Sequence, residues 1–162
     1  MSSQPEVHIR VQDQSLRIVQ DGEEIARFHI ASAKNGVGER NGSEQTPRGW
    51  HKIRAKIGAG QPVNTVFVAR RPTGEIYTPQ LREQHPQRDW ILTRILWLSG
   101  LEPGVNRLGA VDTMRRYVYI HGCPDEDTMG IPSSHGCIKM RNADILTLFD
   151  MLPAGTRVCI EE

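Results

Sequence analysis

The chain has 162 residues, of which 38% are hydrophobic, and its 20 lysines and arginines are nearly balanced by 19 aspartates and glutamates. This length and composition predict one globular domain over residues 1–162, large enough to bury about two thirds of the surface of the unfolded chain. The near-zero net charge produces no field that would concentrate nucleic acid or an anionic membrane, so we expect neither as a partner.

The N-terminal residues and the cysteine content bear on the cellular compartment. Residues 1–8 are polar, where a signal peptide would have an apolar core of about 7 to 15 residues. No apolar run reaches the roughly 18 residues of a membrane span. Three cysteines are an odd number and too few for a disulfide framework, which is typical of a reducing compartment. We therefore expect a cytoplasmic protein, the alternative being a periplasmic one whose leader has been removed.

The first third of the chain has the pattern of β-hairpins followed by a long loop. Apolar residues alternate with polar ones from Val7 to Val11, and Asp21-Gly22 is a typical hairpin turn. Residues 32–49 are rich in Gly, Asn and Ser, and a loop of that length usually serves binding. The predicted strands here are residues 7–11, 16–19, 25–30 and 50–57.

The rest of the chain predicts further strands and one helix. Apolar residues recur at i, i+3, i+4 and i+7 from Ile145 to Leu152, with Asn142 as N-cap and Pro153 as terminator. Residues 73–89 contain prolines and many charges, which indicates an exposed connection. The predicted strands are residues 63–69, 90–98, 116–121 and 156–160. The fold class is therefore mainly β, a twisted β-sandwich or partly closed barrel with one short helix in the C-terminal half.

The segment from residue 121 to residue 142 carries the candidate chemistry. A thiol is nucleophilic only as thiolate, and with a reference pKa of about 8.5 it needs a neighbouring base, which an imidazole can supply. His121 at the end of a predicted strand and Cys137 are the first such pair. Gly136 leaves room for a carbonyl beside the backbone, so the amides of Gly136 and Cys137 could stabilise an oxyanion. In this setting we expect the thiol of Cys137 to have the lowest pKa of the three cysteines.

Two other interpretations use the same residues. His121-x-Cys123 and His135-x-Cys137 form a symmetrical set of four ligands that could hold zinc, although structural zinc sites usually have other spacings. Alternatively, these residues are buried cysteines and hydrogen-bonded histidines with a structural role.

The same segment resembles a known family. The runs Ile120-His121-Gly122-Cys123-Pro124 and Ser134-His135-Gly136-Cys137-Ile138-Lys139-Met140 are similar to the active-site signature of the L,D-transpeptidase (YkuD) catalytic domain. The resemblance extends upstream through Thr46-Pro47-Arg48-Gly49-Trp50 and downstream to Thr156, roughly three quarters of the chain. Two residues depart from the family pattern: Cys123 stands where Thr or Ser is common, and Lys139 where Arg or Asn is usual.

The resemblance implies a β-sandwich fold and cysteine-dependent acyl transfer on murein tetrapeptides or other muropeptides, without metal or cofactor. Cys137 would attack the carbonyl that joins meso-diaminopimelate to the terminal D-Ala, His121 would be the base, and the Gly122 carbonyl would orient its ring. A carbapenem would acylate the same thiol. Ser134, His135 and Gly136 would shape the active-site loop, and substrate contacts are expected at Trp97, Tyr119, Lys139 and Arg141.

The fate of the thioester and the role of Cys123 stay open at this stage. For a cytoplasmic enzyme we expect water as the main acceptor, which would make the protein an L,D-carboxypeptidase that trims recycled tetrapeptides. The alternative is a periplasmic L,D-transpeptidase that forms 3-3 cross-links. From another class, the chain could be a zinc-bound or non-catalytic muropeptide-binding module. A disulfide between Cys123 and Cys137 would require Cβ atoms about 4 Å apart.

Overall fold

Short segments of alternating apolar and polar residues form ten β-strands in the computed structural model, which describes residues 3–162. The two helices are α1 (Pro79–Gln84) and α2 (Asn142–Met151), and a 3-10 turn covers Gly109–Val111. The strands are β1 (Glu6–Arg10), β2 (Ser15–Gln20), β3 (Glu23–Ala31), β4 (Gly49–Ile57), β5 (Thr65–Val68), β6 (Arg71–Ile76), β7 (Ile91–Gly100), β8 (Tyr119–Gly122), β9 (Ile138–Met140) and β10 (Arg157–Glu161).

The strands form one sheet that curls back on itself. Its order is β4-β10-β1-β2-β3-β9-β8-β7-β5-β6, and β4 also pairs with β7, so the eight strands from β4 round to β7 form a ring. The ring is weakest between β3 and β9, which share two residue pairs. The pairs β1/β10 and β8/β9 are parallel, and the other pairs are antiparallel. The prediction of a mainly β, partly closed barrel is confirmed.

The core lies inside this curved sheet and under α2. Side chains from β1, β2, β7, β8, β9 and β10 are fully or almost fully buried there. Helix α2 packs on β7 and β8 and covers the core with the apolar face predicted from the sequence. Burial of each such side chain stabilises the fold by roughly 1.5–3 kcal/mol. The strand β8, which carries His121, is therefore held on both edges by β7 and β9 and on one face by α2.

Three local predictions are wrong. Residues 73–89 contain most of β6 and the short helix α1, which begins where the Thr78 hydroxyl accepts a hydrogen bond from the Leu81 N–H at 3.1 Å. The strand predicted at 116–121 begins at Tyr119, because Tyr117 has φ +56°, a left-handed conformation outside the β region. Asn142 is the first residue of α2 rather than its cap, and its side chain is buried.

Within residues 3–162, no helix is both long enough and apolar enough to cross a membrane.

Candidate active site

The geometry around His121 defines its tautomer. Its ring is buried, and Nδ1 lies 2.6 Å from the carbonyl oxygen of Gly122. A carbonyl oxygen only accepts hydrogen bonds, so Nδ1 carries the proton and Nε2 has the free lone pair of a base. Burial also lowers the pKa of His121 below its ordinary value of 6.5, because the charged ring would lose its hydration. The ring is therefore neutral at neutral pH.

The backbone that carries His121 is held by a buried polar network centred on Asn142. The Asn142 side-chain amide donates to the Cys123 carbonyl at 2.9 Å, and its oxygen accepts from the Thr93 hydroxyl at 2.5 Å. A Cβ at position 122 would lie 2.5 Å from the Asn142 oxygen and 2.6 Å from the Leu92 carbonyl oxygen. Only glycine fits at position 122, between β7 and α2.

The register of β8 and β9 brings Cys137 to the same face as His121. Ile138 pairs with Ile120 in the parallel ladder, so Cys137, one residue before β9, lies beside Tyr119. The Tyr119 N–H donates to the Cys137 sulfur at 3.2 Å. Neighbouring residues of a parallel pair present their side chains to the same side of the sheet. Cys137 and His121 consequently open into one cavity.

The pKa of Cys137 differs from the prediction. Burial raises the pKa of the thiol to about 12, and Asp89 acts in the same direction, while the Tyr119 N–H and Arg116 act against them. The expectation that Cys137 has a depressed pKa is therefore wrong, because the thiol packs against an apolar cluster that includes Phe67 and Ile95. Thiol and imidazole are both neutral at neutral pH, so the proton must move from sulfur to nitrogen during attack.

A tight turn presents Cys137 to the cavity. The Ser134 hydroxyl donates to the Cys137 carbonyl at 2.5 Å and accepts from the Gly136 N–H at 3.2 Å. Gly136 has φ +132°, a conformation that residues with a side chain rarely adopt. The buried Thr46 hydroxyl donates to the Gly136 carbonyl at 3.1 Å and so joins the long loop to this turn. A contribution of the Gly136 amide to an oxyanion site would require it to leave Ser134.

The cavity has a volume of about 440 Å³ and a mixed polar and apolar wall. Tyr119 and the exposed His135 lie on this wall, and the His135 ring lies 4.0 Å from the Asp89 carboxylate. Trp97 stands behind the wall, where its ring contacts the rings of Tyr117 and Tyr119 with centroids 6.2 Å apart. The lining residues are Ala69, Arg70, Asp89, Ile91, Arg116, Tyr117, Tyr119, His121, Ser134, His135 and Cys137.

The two cations expected to bind substrate carboxylates are not in this cavity. Lys139 is paired with Asp127 at 2.8 Å and lines a neighbouring depression of about 330 Å³. Arg141 is exposed beside the start of α2 and is not among the lining residues. The cavity contains Arg70 and Arg116 instead. Sequence reasoning missed both, because only the sheet topology brings these distant positions beside Cys137.

Arg116 connects the long loop to the cavity. Its guanidinium donates to the carbonyls of Gly38 and Gln45 and to the Ser43 hydroxyl, at 3.3, 2.6 and 3.2 Å. Its charge also favours the thiolate form of Cys137. The segment 38–45 is thereby fixed next to the nucleophile candidate, although it has no strand of its own.

The zinc and disulfide alternatives fail on distance. Cys123 is buried against Ala31 and Met129, and its N–H donates to the carbonyl of Met140. Cys137 lies beside Tyr119, and Cys123 is four positions after Tyr119, just beyond the end of β8, which corresponds to a separation of about 13 Å. A disulfide needs Cα atoms within about 7 Å. Among the described residues, no group of three or more His, Cys, Asp or Glu is placed to hold a metal ion.

Comparison of the chain with known proteins identifies a matching family and several relatives. The profile of the YkuD family, the L,D-transpeptidase catalytic domain, matches residues 4–160. The probable L,D-transpeptidase ErfK/SrfK of Escherichia coli strain K12 is 32% identical over 125 residues, which are 77% of this chain and 35% of that protein. The probable L,D-transpeptidase YbiS of the same strain is 31% identical over 112 residues, 64% of this chain and 34% of that protein.

The chain thus spans about a third of the length of these curated relatives. Among solved structures, an L,D-transpeptidase from Mycobacterium smegmatis superposes with a TM-score of 0.58 at 18% identity, over 98% of this chain and 59% of that one. The L,D-transpeptidase LdtMt1 in complex with imipenem has a TM-score of 0.58 at 16% identity, over 96% of this chain and 58% of that one. At these identities the two structures share the fold with this chain.

Proposed function

The chain belongs to the YkuD family of L,D-transpeptidase catalytic domains, and from this premise we propose that it transfers acyl groups of peptidoglycan stem peptides through a thioester on Cys137. The observation that carries the proposal is the shared cavity of His121 and Cys137, in which the Gly122 carbonyl holds His121 Nδ1 and leaves Nε2 as the base. Nucleophile, base and an orienting group are the parts that covalent acyl transfer requires.

In the proposed reaction, His121 Nε2 takes the thiol proton as the Cys137 sulfur attacks the carbonyl between diaminopimelate and D-Ala. The tetrahedral intermediate collapses when His121 returns that proton to the D-Ala nitrogen, so the C–N bond breaks and a thioester remains. Developing negative charge on sulfur is stabilised by the Tyr119 N–H and by Arg116. Because the resting pair is neutral, the imidazolium exists only between these two proton transfers.

We propose water as the main acceptor of the acyl group, which makes the protein an L,D-carboxypeptidase that converts tetrapeptides to tripeptides. Hydrolysis needs one bound peptide, whereas cross-linking needs two, and a cavity of about 440 Å³ is in the range of sites for one small ligand. Transfer to an amine, which would form a 3-3 cross-link, is the second candidate. For the place of action we propose the cytoplasm. Its reducing conditions keep thiols free, and Cys123, Cys137 and Cys159 are all free thiols.

Product analysis tests the reaction. The purified protein is incubated with a disaccharide-tetrapeptide, and the products are followed by mass spectrometry. Mainly tripeptide with an equal amount of free D-Ala supports hydrolysis, and mainly 3-3 dimer refutes it in favour of transpeptidation. Tetrapeptide binding without any product refutes catalysis and favours a muropeptide-binding module.

Two variants form the matched controls. Cys137→Ala should abolish product formation, whereas Cys159→Ala, which removes another partly exposed thiol on β10, should leave it unchanged. Turnover by Cys137→Ala would overturn the assignment of the nucleophile. Fractionation of the native host tests the location separately, and recovery of the protein from the periplasm would reverse the cytoplasmic proposal.

A further inference from the structure

The hairpin of β5 and β6 ends in an unusual turn at the cavity. Val68 pairs with Arg71, so Ala69 and Arg70 alone form the turn, with φ +48° and +64°. Two-residue turns in which both residues have positive φ are ordinarily made of Asn-Gly or Asp-Gly, because a side chain makes this conformation costly. Backbone strain of this kind persists where the surrounding structure enforces it, and it is often found at functional sites.

The Arg70 side chain is held in one place by aromatic residues. Its guanidinium lies 4.8 Å from the ring centre of Trp97 and 4.6 Å from that of Tyr117, and it donates to the Tyr119 hydroxyl at 3.0 Å. Tyr119 is the residue whose N–H contacts the Cys137 sulfur. A planar guanidinium fixed in this way has already lost most of its side-chain freedom before a ligand arrives.

The charge of Arg70 has no partner among residues 3–162. No Asp or Glu oxygen of that range lies within 4.0 Å of its guanidinium, whereas Arg82 and Arg88 in the neighbouring depression are paired with carboxylates. Arg116, the other cation of the cavity, donates to three loop acceptors. Asp89 stands next to His135. Arg70 is thus a preorganised cation of the cavity wall with N–H groups left for a ligand.

We propose that Arg70 is a specificity-determining residue that binds a carboxylate of the peptide that acylates Cys137. The inference rests on the proposed function insofar as Cys137 is the nucleophile. The ligand class is a peptide with a free carboxylate close to the scissile carbonyl, and the guanidinium is suited to hold it by two parallel hydrogen bonds. An amidated peptide of the same shape lacks the charge and is the disfavoured counterpart.

Alkylation of Cys137 tests the charge without any turnover. Iodoacetate and iodoacetamide differ by one carboxylate, and peptide mass spectrometry separates their rates at Cys137 and Cys159. In Arg70→Gln the ratio of the iodoacetate rate to the iodoacetamide rate at Cys137 should fall about fivefold, the size expected for one partly screened charge. Arg70→Lys should retain most of the ratio. In Arg70→Gln the ratio at Cys159 should stay at its wild-type value. The control variant Arg71→Gln changes an exposed neighbour outside the cavity wall, and it should leave the ratio at Cys137 at its wild-type value.

Added salt provides a measurement that needs no variant. In the wild type, raising the ionic strength should lower the ratio at Cys137 and not at Cys159. A ratio at Cys137 that is equal in wild type and Arg70→Gln, or that is insensitive to salt, would overturn the proposal.

Turnover separates this inference from the proposed function. With tetrapeptide as free acid and as amide, Arg70→Gln should raise KM for the free acid about tenfold with little change in kcat, since it removes binding common to ground and transition states. If the wild type turns over both peptides and Arg70→Gln keeps the wild-type preference for the free acid over the amide, the role assigned to Arg70 is wrong and the proposed function stands. If Cys137→Ala keeps full turnover, Cys137 is not the nucleophile and the proposed function fails. The alkylation ratio still tests whether the charge of Arg70 attracts a carboxylate to Cys137.

Discussion

Replacement of Asn142 by Ala should destabilise the fold strongly and slow acylation of Cys137. The Asn142 side chain is 2% exposed. Its amide nitrogen lies 2.9–3.0 Å from oxygens of Cys123, Asn64 and Asp125, and its oxygen accepts from the Thr93 hydroxyl. The two amide hydrogens and the oxygen support about three hydrogen bonds.

Each of these bonds contributes roughly 1 kcal/mol net, and a buried partner left without one costs about 1–3 kcal/mol. The expected loss is therefore on the order of 3–5 kcal/mol, out of a total of about 5–15 kcal/mol for a domain. For a chain of this length each kcal/mol corresponds to roughly 2–4 °C in Tm, so Tm should fall by roughly 10 °C. The acylation rate of the folded fraction should also fall, because the backbone after His121 loses its tie to α2.

Urea unfolding followed by tryptophan fluorescence measures the change, with Asn41→Ala, an exposed asparagine, as the control. Thr93→Val and the double variant complete a cycle that isolates the bond between Thr93 and Asn142. A loss below about 1 kcal/mol, or a double variant whose effect is the sum of the two single effects, would refute the reasoning.

Three further outcomes follow from the site. Acylation of Cys137 by a carbapenem should appear as a mass increase on its peptide, and absence of the adduct at high concentration would contradict an open site. The acylation rate should be constant from pH 8 to 6.5 and fall at lower pH, since burial places the pKa of His121 below 6.5 and protonation removes the base; a decline that begins above pH 7 would contradict this direction. Gly136→Ala, at φ +132°, should cost about 1–3 kcal/mol in unfolding free energy and reduce acylation, and an unchanged rate would show that the turn tolerates a side chain.

Local patterns in the sequence were sufficient for the fold class and for the two residues at the centre of the candidate site. Strands such as β1 and the helix α2 could be predicted because the spacing of apolar residues along the sequence has the period of the buried face. His121 and Cys137 stood out because a thiol and an imidazole flank one glycine-rich loop. These features lie within short continuous segments of the chain, so no knowledge of the tertiary arrangement was needed to find them.

The surroundings of these residues were decided by tertiary structure alone. The direction of the Cys137 pKa follows from burial against side chains of β5 and β7, which no local pattern reports. The pairing of Lys139 with Asp127 and the position of Arg70 over Trp97 depend on which strands become neighbours in the sheet. Charge, solvation and register are set by contacts between residues distant in sequence, and these contacts determine what the central pair can do.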